Sequence, residues 1–360
     1  MSAMSTRRLR VAAAAAVLAS GTLLMLPAAP QPQLEPAPPV PPTLDVSATL
    51  PDGTTFSPAA VLDPHHVVVQ IADADPDTAS LALLDPSDRS GSAAPLRLER
   101  IPIAGGGSFD AVRAADGHVY WMSSVADDQG GSRTTLHRAD ASGAAEVLTT
   151  DTGRPLFTGG MHDLEIAEGR VWWTATRGLT VPTTDLRSVP LDGGDVTVRP
   201  LDGTYHLTAW PWATDDGIGG QPVLQLNLVT GERRTFDEPP GRDVYCGAVW
   251  CRTVASTRQS SVVTLHRTDG SGETGRVNVD GEVTLFLDIA ALDRFEFLAA
   301  PISTQASTSS ERLTMFDLRT RRRTPLAVST AEGLSGSWLW WATGDNETMT
   351  WHLLDLAAIP

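Results

Sequence analysis

The residues of this 360-residue chain best suited to chemistry are carboxylates set in short polar stretches. Asp73, Asp75 and Asp77 alternate along one stretch, Asp127 and Asp128 are adjacent, as are Asp215 and Asp216, and Asp345 stands two places before Glu347. Oxygen-rich loops of this kind suit Ca²⁺ or a basic partner. The run from Asp73 begins like a calcium loop, but Thr78 stands where glycine is wanted and no glutamate closes it. The plainer reading is that Asp and Gly favour exposed hairpins. A second group, Asp110, His162, Asp163, His206 and Asp243, falls at the starts of apolar segments. If those segments converge, a metal or hydrolytic site becomes possible. Histidines bonded to backbone at strand ends are the alternative.

Cys246 and Cys251 are the two cysteines. Across a short hairpin their Cα atoms would lie near the roughly 5–6 Å that a disulfide prefers. A structural disulfide, two buried thiols and a redox or metal pair are the three readings, and the four-residue spacing is not that of a thioredoxin-like site.

These residues must be positioned by something, and the chain repeats itself. Asp116-Gly-His-Val-Tyr-Trp121 returns as Glu168-Gly-Arg-Val-Trp-Trp173, as Cys246-Gly-Ala-Val-Trp-Cys251 and as Ser335-Gly-Ser-Trp-Leu-Trp340. Each copy is a turn residue, a glycine and a strand with large apolar side chains. The cysteines thus take the turn position and the tryptophan position of one copy. A second motif, His137-Arg-Ala-Asp-Ala-Ser-Gly143, is nearly repeated as His266-Arg-Thr-Asp-Gly-Ser-Gly272. Its histidines belong to the repeat and read as structural. A period of roughly 40–50 residues is that of a solenoid or propeller.

Each unit reads as four strands: A, a tight turn, B, a longer loop, C, a turn, D. In unit two these are residues 109–114, 118–123, 134–138 and 146–149, with Asp116-Gly117 a strong hairpin signal. Unit six is less regular, with 294–299, 313–318 and 324–328. The seventh unit has 338–343 and 349–354 and then too few residues for a fourth strand. Residues 44–50 precede unit one without a partner, so they are expected to complete the seventh sheet and remove an exposed edge. The expected fold is all-β, one propeller of seven four-stranded blades closed by an N-terminal strand and spanning 44–360. The B–C loops then share a face and carry the acidic residues, while the inner-strand ends bring the second group to the channel mouth. The basic run Arg319–Arg323, broken by Thr320, falls on the C–D turn of unit six as a solvated turn or an anionic docking patch.

Residues 1–29 read as an export signal or a membrane anchor. Arg7, Arg8 and Arg10 precede an apolar run over 11–29, the order of a signal peptide. That run is roughly 28 Å long as a helix, enough for a single N-terminal membrane anchor. Residues 30–43 hold seven prolines and read as a semi-rigid linker. Both readings export the domain, secreted or held on the outer side of the cytoplasmic membrane. Net charge is −16, which excludes nucleic acid as a natural partner. All 27 basic residues are arginine. The ten tryptophans fall almost entirely in strand contexts and suit sheet-on-sheet packing.

Asp116-Gly-His-Val-Tyr-Trp121 with Leu136-His-Arg-Ala-Asp140, and Glu168-Gly-Arg-Val-Trp-Trp-Thr174 with Arg187-Ser-Val-Pro-Leu-Asp-Gly-Gly194, resemble the repeats of secreted bacterial propellers of the WD40-like (TolB-type) and YWTD-type classes. The resemblance covers the whole exported domain. It implies a propeller, although those classes often have six blades, and they include binding proteins and enzymes alike. No Gly-x-Ser-x-Gly elbow occurs, which argues against a propeller-gated peptidase. The expectation is a monomeric, non-enzymatic platform at the cell envelope that binds a protein or small ligand, with no catalytic residues, no resident metal and no cofactor. A calcium ion on the acidic rim is the variant of that expectation. The alternative is a lactonase-like hydrolase with a metal at the channel mouth.

Overall fold

A computed structural model describes residues 42–87, 94–127, 130–178, 183–215, 222–256, 261–285, 287–302, 310–345 and 348–360. The expected signal or anchor and nearly all of the linker lie outside them, as do Asp128, Asp216 and Glu347. Among the described residues no helix is long and apolar enough to cross a membrane.

The described strands form seven four-stranded antiparallel sheets. In six of them the strand order follows the chain, A-B-C-D. Local chemistry explains why. Asp116 and Gly117 have φ of 51° and 75°, and Glu168 and Gly169 have 53° and 71°. Two positive values in succession make the turn whose twist matches a β-hairpin, and they place Ala115 opposite His118 and Ala167 opposite Arg170. The second motif makes the C–D turns. Asp140 accepts from the Ser142 amide at 2.9 Å and Asp269 from the Ser271 amide at 2.8 Å. Asp85 does the same for Ser87 in blade one, at 2.8 Å.

The inner strands are Phe56–Asp63, Ser108–Ala115, Glu165–Ala167, His206–Leu207, Arg242–Cys246, Val283–Thr284 and Ala331–Ser335, for blades one to seven. Blade six departs from the expectation. Its inner strand is only Val283–Thr284, and the stretch at 294–299 belongs to the second strand, Phe295–Pro301. Blade seven closes as expected. Leu44–Ser47 is its outermost strand, with Leu44 opposite Leu353 and Val46 opposite Trp351.

Apolar side chains gather into seven clusters, one between each pair of adjacent blades. Tryptophans seal several of them. The Trp121 indole N–H reaches back to Glu99 of blade one at 2.6 Å, and that of Trp351 in blade seven donates to the Phe56 carbonyl of blade one at 2.9 Å. His137 stacks on Trp121 with centroids 5.1 Å apart, the packing role its repetition implies. Arginines stitch the outer edges. Arg199 of blade three donates to the Leu228 carbonyl of blade four at 2.7 Å, and Arg234 of blade four to Thr268 of blade five at 2.9 Å. The basic run serves the same end: Arg323 donates to the Val277 carbonyl at 2.6 Å, Arg321 to that of Thr274 at 2.5 Å and Arg319 to that of Pro360. A planar guanidinium with several donors fits these bridges better than an ammonium would.

The thinnest cluster lies between blades four and five: Val223, Val244, Cys246 and Cys251, backed by Phe236. The disulfide reinforces it. Cys246 is the last residue of strand A rather than a turn residue, and it lies directly opposite Cys251 on strand B, with Cα atoms 4.0 Å apart. Direct cross-strand pairing brings them closer than the separation expected from the sequence. The closed loop is short, so replacing both cysteines by alanine is expected to destabilise by about 2 kcal/mol. Denaturant unfolding of the oxidised protein and the double variant measures it.

Candidate functional site

Two segments occupy the propeller axis. The connection into blade three runs over residues 150–164. Asp163 folds it by accepting from Thr158 N and Oγ1 and from Gly159 N, at 2.8–3.0 Å. That turn sends Gly160, Met161 and His162 inward. The second segment is the A–B connection of blade six, which contributes Leu287, Asp288 and Ile289. Met161 borders three cavities, of about 230, 150 and 430 Å³. The axis is therefore divided.

His162 sits between two carboxylates, Nδ1 at 2.5 Å from Glu165 and Nε2 at 3.5 Å from Asp288. Burial alone would depress its pKa, but hydrogen bonds from Asp288 and then Glu165 outweigh burial and raise it to about 9. The raised value favours an imidazolium held between the two carboxylates. The neighbours continue the alternation of charge. Arg113 lies 3.8 Å from Glu165 and donates to the Met161 carbonyl at 3.4 Å. Arg252 donates to the Asp288 carbonyl and to Glu296, each at 2.6 Å. Glu296 also accepts from Thr284 at 2.8 Å and from the Ala290 amide at 3.2 Å. The Arg252 and Glu296 side chains are 2% and 0% exposed. The network locks both axial segments to blades two, three, five and six.

The channel-mouth residues read from the sequence divide. His162 and His206 line the 150 Å³ cavity together, with Tyr245, Arg252 and Asp288. Asp110 lines the 230 Å³ cavity instead, bonded to Ser108 at 2.6 Å and to Ser124. Asp163 turns back into its own loop. Asp243 is exposed on the inner strand of blade five and lines none of the three cavities. Among the described residues no group of three His, Cys, Asp or Glu side chains is placed to hold a metal ion. The five do not form one centre.

The described acidic-rim residues lie in or beside B–C loops, and most are tied to nearby groups. Asp73 accepts from Ser80 at 2.9 Å and pairs with Arg100 at 3.0 Å and Arg97 at 3.4 Å. Asp75 binds the Asp77 amide at 3.1 Å, and the Asp77 carbonyl accepts from Ile103. Asp127 accepts from the Gly131 amide at 2.7 Å, Asp215 from that of Thr204 at 3.0 Å and Asp345 from that of Thr348 at 3.0 Å.

Sequence reasoning missed Arg113, Glu165, Arg252, Asp288 and Glu296. A signal existed: Arg252 follows Trp250-Cys251, and Glu296 stands between Phe295 and Phe297, charges inside strands that are otherwise apolar.

No protein-family model matches the sequence, and no curated protein matches it. Solved structures do. An oligogalacturonate lyase in complex with manganese has a TM-score of 0.52 at 10% identity, over 88% of this chain and 96% of that chain. Prolyl endopeptidases give 0.51 at 12% identity over 81% of this chain, which spans only 44% of theirs. TolB from Acinetobacter baumannii gives 0.39 at 13% identity, over 84% and 79% of the two chains. The likeness to the lyase and the endopeptidases is one of fold, and at these identities no activity transfers.

Proposed function

We propose that this chain is an extracytoplasmic propeller that binds a protein or small ligand at the cell envelope and has no catalytic centre of its own. The observation that carries the reading is the setting of His162: the histidine best placed on the axis is buried between the carboxylates of Glu165 and Asp288. A lactonase-like hydrolase with a channel-mouth metal needs neutral histidines and carboxylates converging from several inner strands, whereas Asp110, Asp163 and Asp243 are spread apart. Export is supported by the basic-then-apolar order of residues 7–29 and by the disulfide, which persists in oxidising compartments.

The test is a hydrolysis and lyase screen of the purified protein on lactones, esters, peptides and acidic oligosaccharides, with Mn²⁺, Ca²⁺ or Zn²⁺ added in turn. The expected result is no turnover above that of the His162→Gln variant. Metal-dependent turnover that His162→Gln abolishes would replace this reading with the enzyme. For location, residues 1–43 fused to alkaline phosphatase are expected to give active phosphatase in bacterial cells, and an inactive fusion contradicts export.

A further inference from the structure

The largest of the three cavities, about 430 Å³, opens among the A–B connections of blades four to seven. That volume falls in the range of small-molecule sites. Trp210 and Trp212 form one wall, Val249, Ile289 and Leu292 add apolar surface, and Asp288 and Asp293 supply carboxylates. Trp210 rests on Trp172 with centroids 4.4 Å apart, which fixes its plane.

Most of the charges here are paired. Arg113 and His162 line the cavity, but Glu165 behind them pairs with both, and Asp288 faces His162. Asp293 is exposed at the cavity, and among the described residues it makes no hydrogen bond or ion pair. The surrounding turns raise its pKa by burial, Arg267 offsets this and Asp288 adds to it. Its backbone is held against preference. Ala290, Leu292 and Asp293 have φ of 52°, 55° and 57° within four positions, a conformation that non-glycine residues rarely adopt. Ala290 and Ala291 are buried and anchor the turn, so Leu292 and Asp293 are presented at the cavity.

One wall already shows what it accepts: Arg234 lies over the Trp212 ring at 4.1 Å. The geometry points to a site for a small organic cation, a guanidinium or ammonium on an aliphatic stem, with the charge at Asp293 and the stem along Trp210 and Leu292. This rests on the reading of the chain as a binding module and names the chemistry of its ligand.

The test is titration of the whole protein with n-butylguanidinium and with its neutral isostere n-butylurea, followed by indole resonances and calorimetry. Saturable binding of the guanidinium is expected, with the urea about tenfold or more weaker, since cation–π and ion-pair contacts together amount to about 1–2 kcal/mol. Asp293→Asn is expected to weaken the guanidinium by a similar factor. Asparagine tolerates the left-handed backbone, so the fold survives that change. Trp210→Leu is the second variant and should weaken both probes. Equal binding of the two probes, an unaffected Asp293→Asn, or no saturation at about 20 mM overturns the cation site. None of these bears on the turnover screen, so failure of this site and failure of the binding-module reading are separately visible.

Discussion

Replacing Glu296 by alanine is expected to destabilise the protein by about 3–5 kcal/mol, because Arg252 then loses its carboxylate partner in the interior. The pair is among the most buried charge in the molecule, with the two side chains 2% and 0% exposed and 2.6 Å between Nε and Oε1. Glu296 also holds Thr284 and the Ala290 amide, so its loss frees the inner strand of blade six and the strained turn after it. Removing both charges is a different experiment. Arg252→Met with Glu296→Leu keeps the volume and removes the desolvation penalty, so it is expected to recover most of the loss. Denaturant midpoints of the single and double variants decide it. A Glu296→Ala effect below about 1 kcal/mol would mean that Arg252 finds water or another partner.

The second large effect comes from the closing strand. A chain beginning at Leu50 lacks Leu44–Ser47, the outermost strand of blade seven. It also lacks Ala48, which is fully buried between blades seven and one, and the packing of Leu44 and Val46 beside it. Several ladder hydrogen bonds and partly buried aliphatic side chains amount to about 3–6 kcal/mol. The strand Thr350–Asp355 then becomes an exposed edge, open to pairing with another chain. Lower cooperativity on unfolding and concentration-dependent association are expected. Moving residues 42–50 to follow Pro360 restores the strand by an ordinary hairpin order, and should restore stability. A truncated chain as stable and monomeric as the parent would contradict the closure.

Much of the ring could be read from local signals. Asp116-Gly117 and Glu168-Gly169 declare hairpins because the turn needs positive φ, and glycine supplies it without strain. The unpaired residues at 44–50 matched the missing strand because a blade without a fourth strand leaves an edge. The cysteines were placed by the repeat, although the pairing lies within the strands rather than at the turn. The axis was not legible in the same way. Strands in a propeller are covered on both faces, so Arg252 and Glu296 sit in apolar runs without the alternation that would assign them a side. Blade six starts with a two-residue strand, too short to carry a pattern. The segment 150–164 has no periodicity, so nothing in it announces that Met161 and His162 enter the axis. The partners of Asp73 are 24 and 27 residues away on the last strand of the blade, beyond what spacing can pair.

His162 is expected to be a charged, locked group, and its titration measures that directly. The eight histidines can be followed by imidazole NMR, with His162 assigned by its loss in His162→Gln. The predicted pKa is about 9. Because the folded value lies above the ordinary 6.5, the stability that His162 contributes is complete below pH 6.5 and fades as pH rises through about 9. Melting temperature should therefore fall across that window, and less so in His162→Gln. A His162 that titrates at or below 6.5 would be neutral at physiological pH and free to bind a metal or accept a proton, and the reading of a binding propeller would give way to a catalytic one.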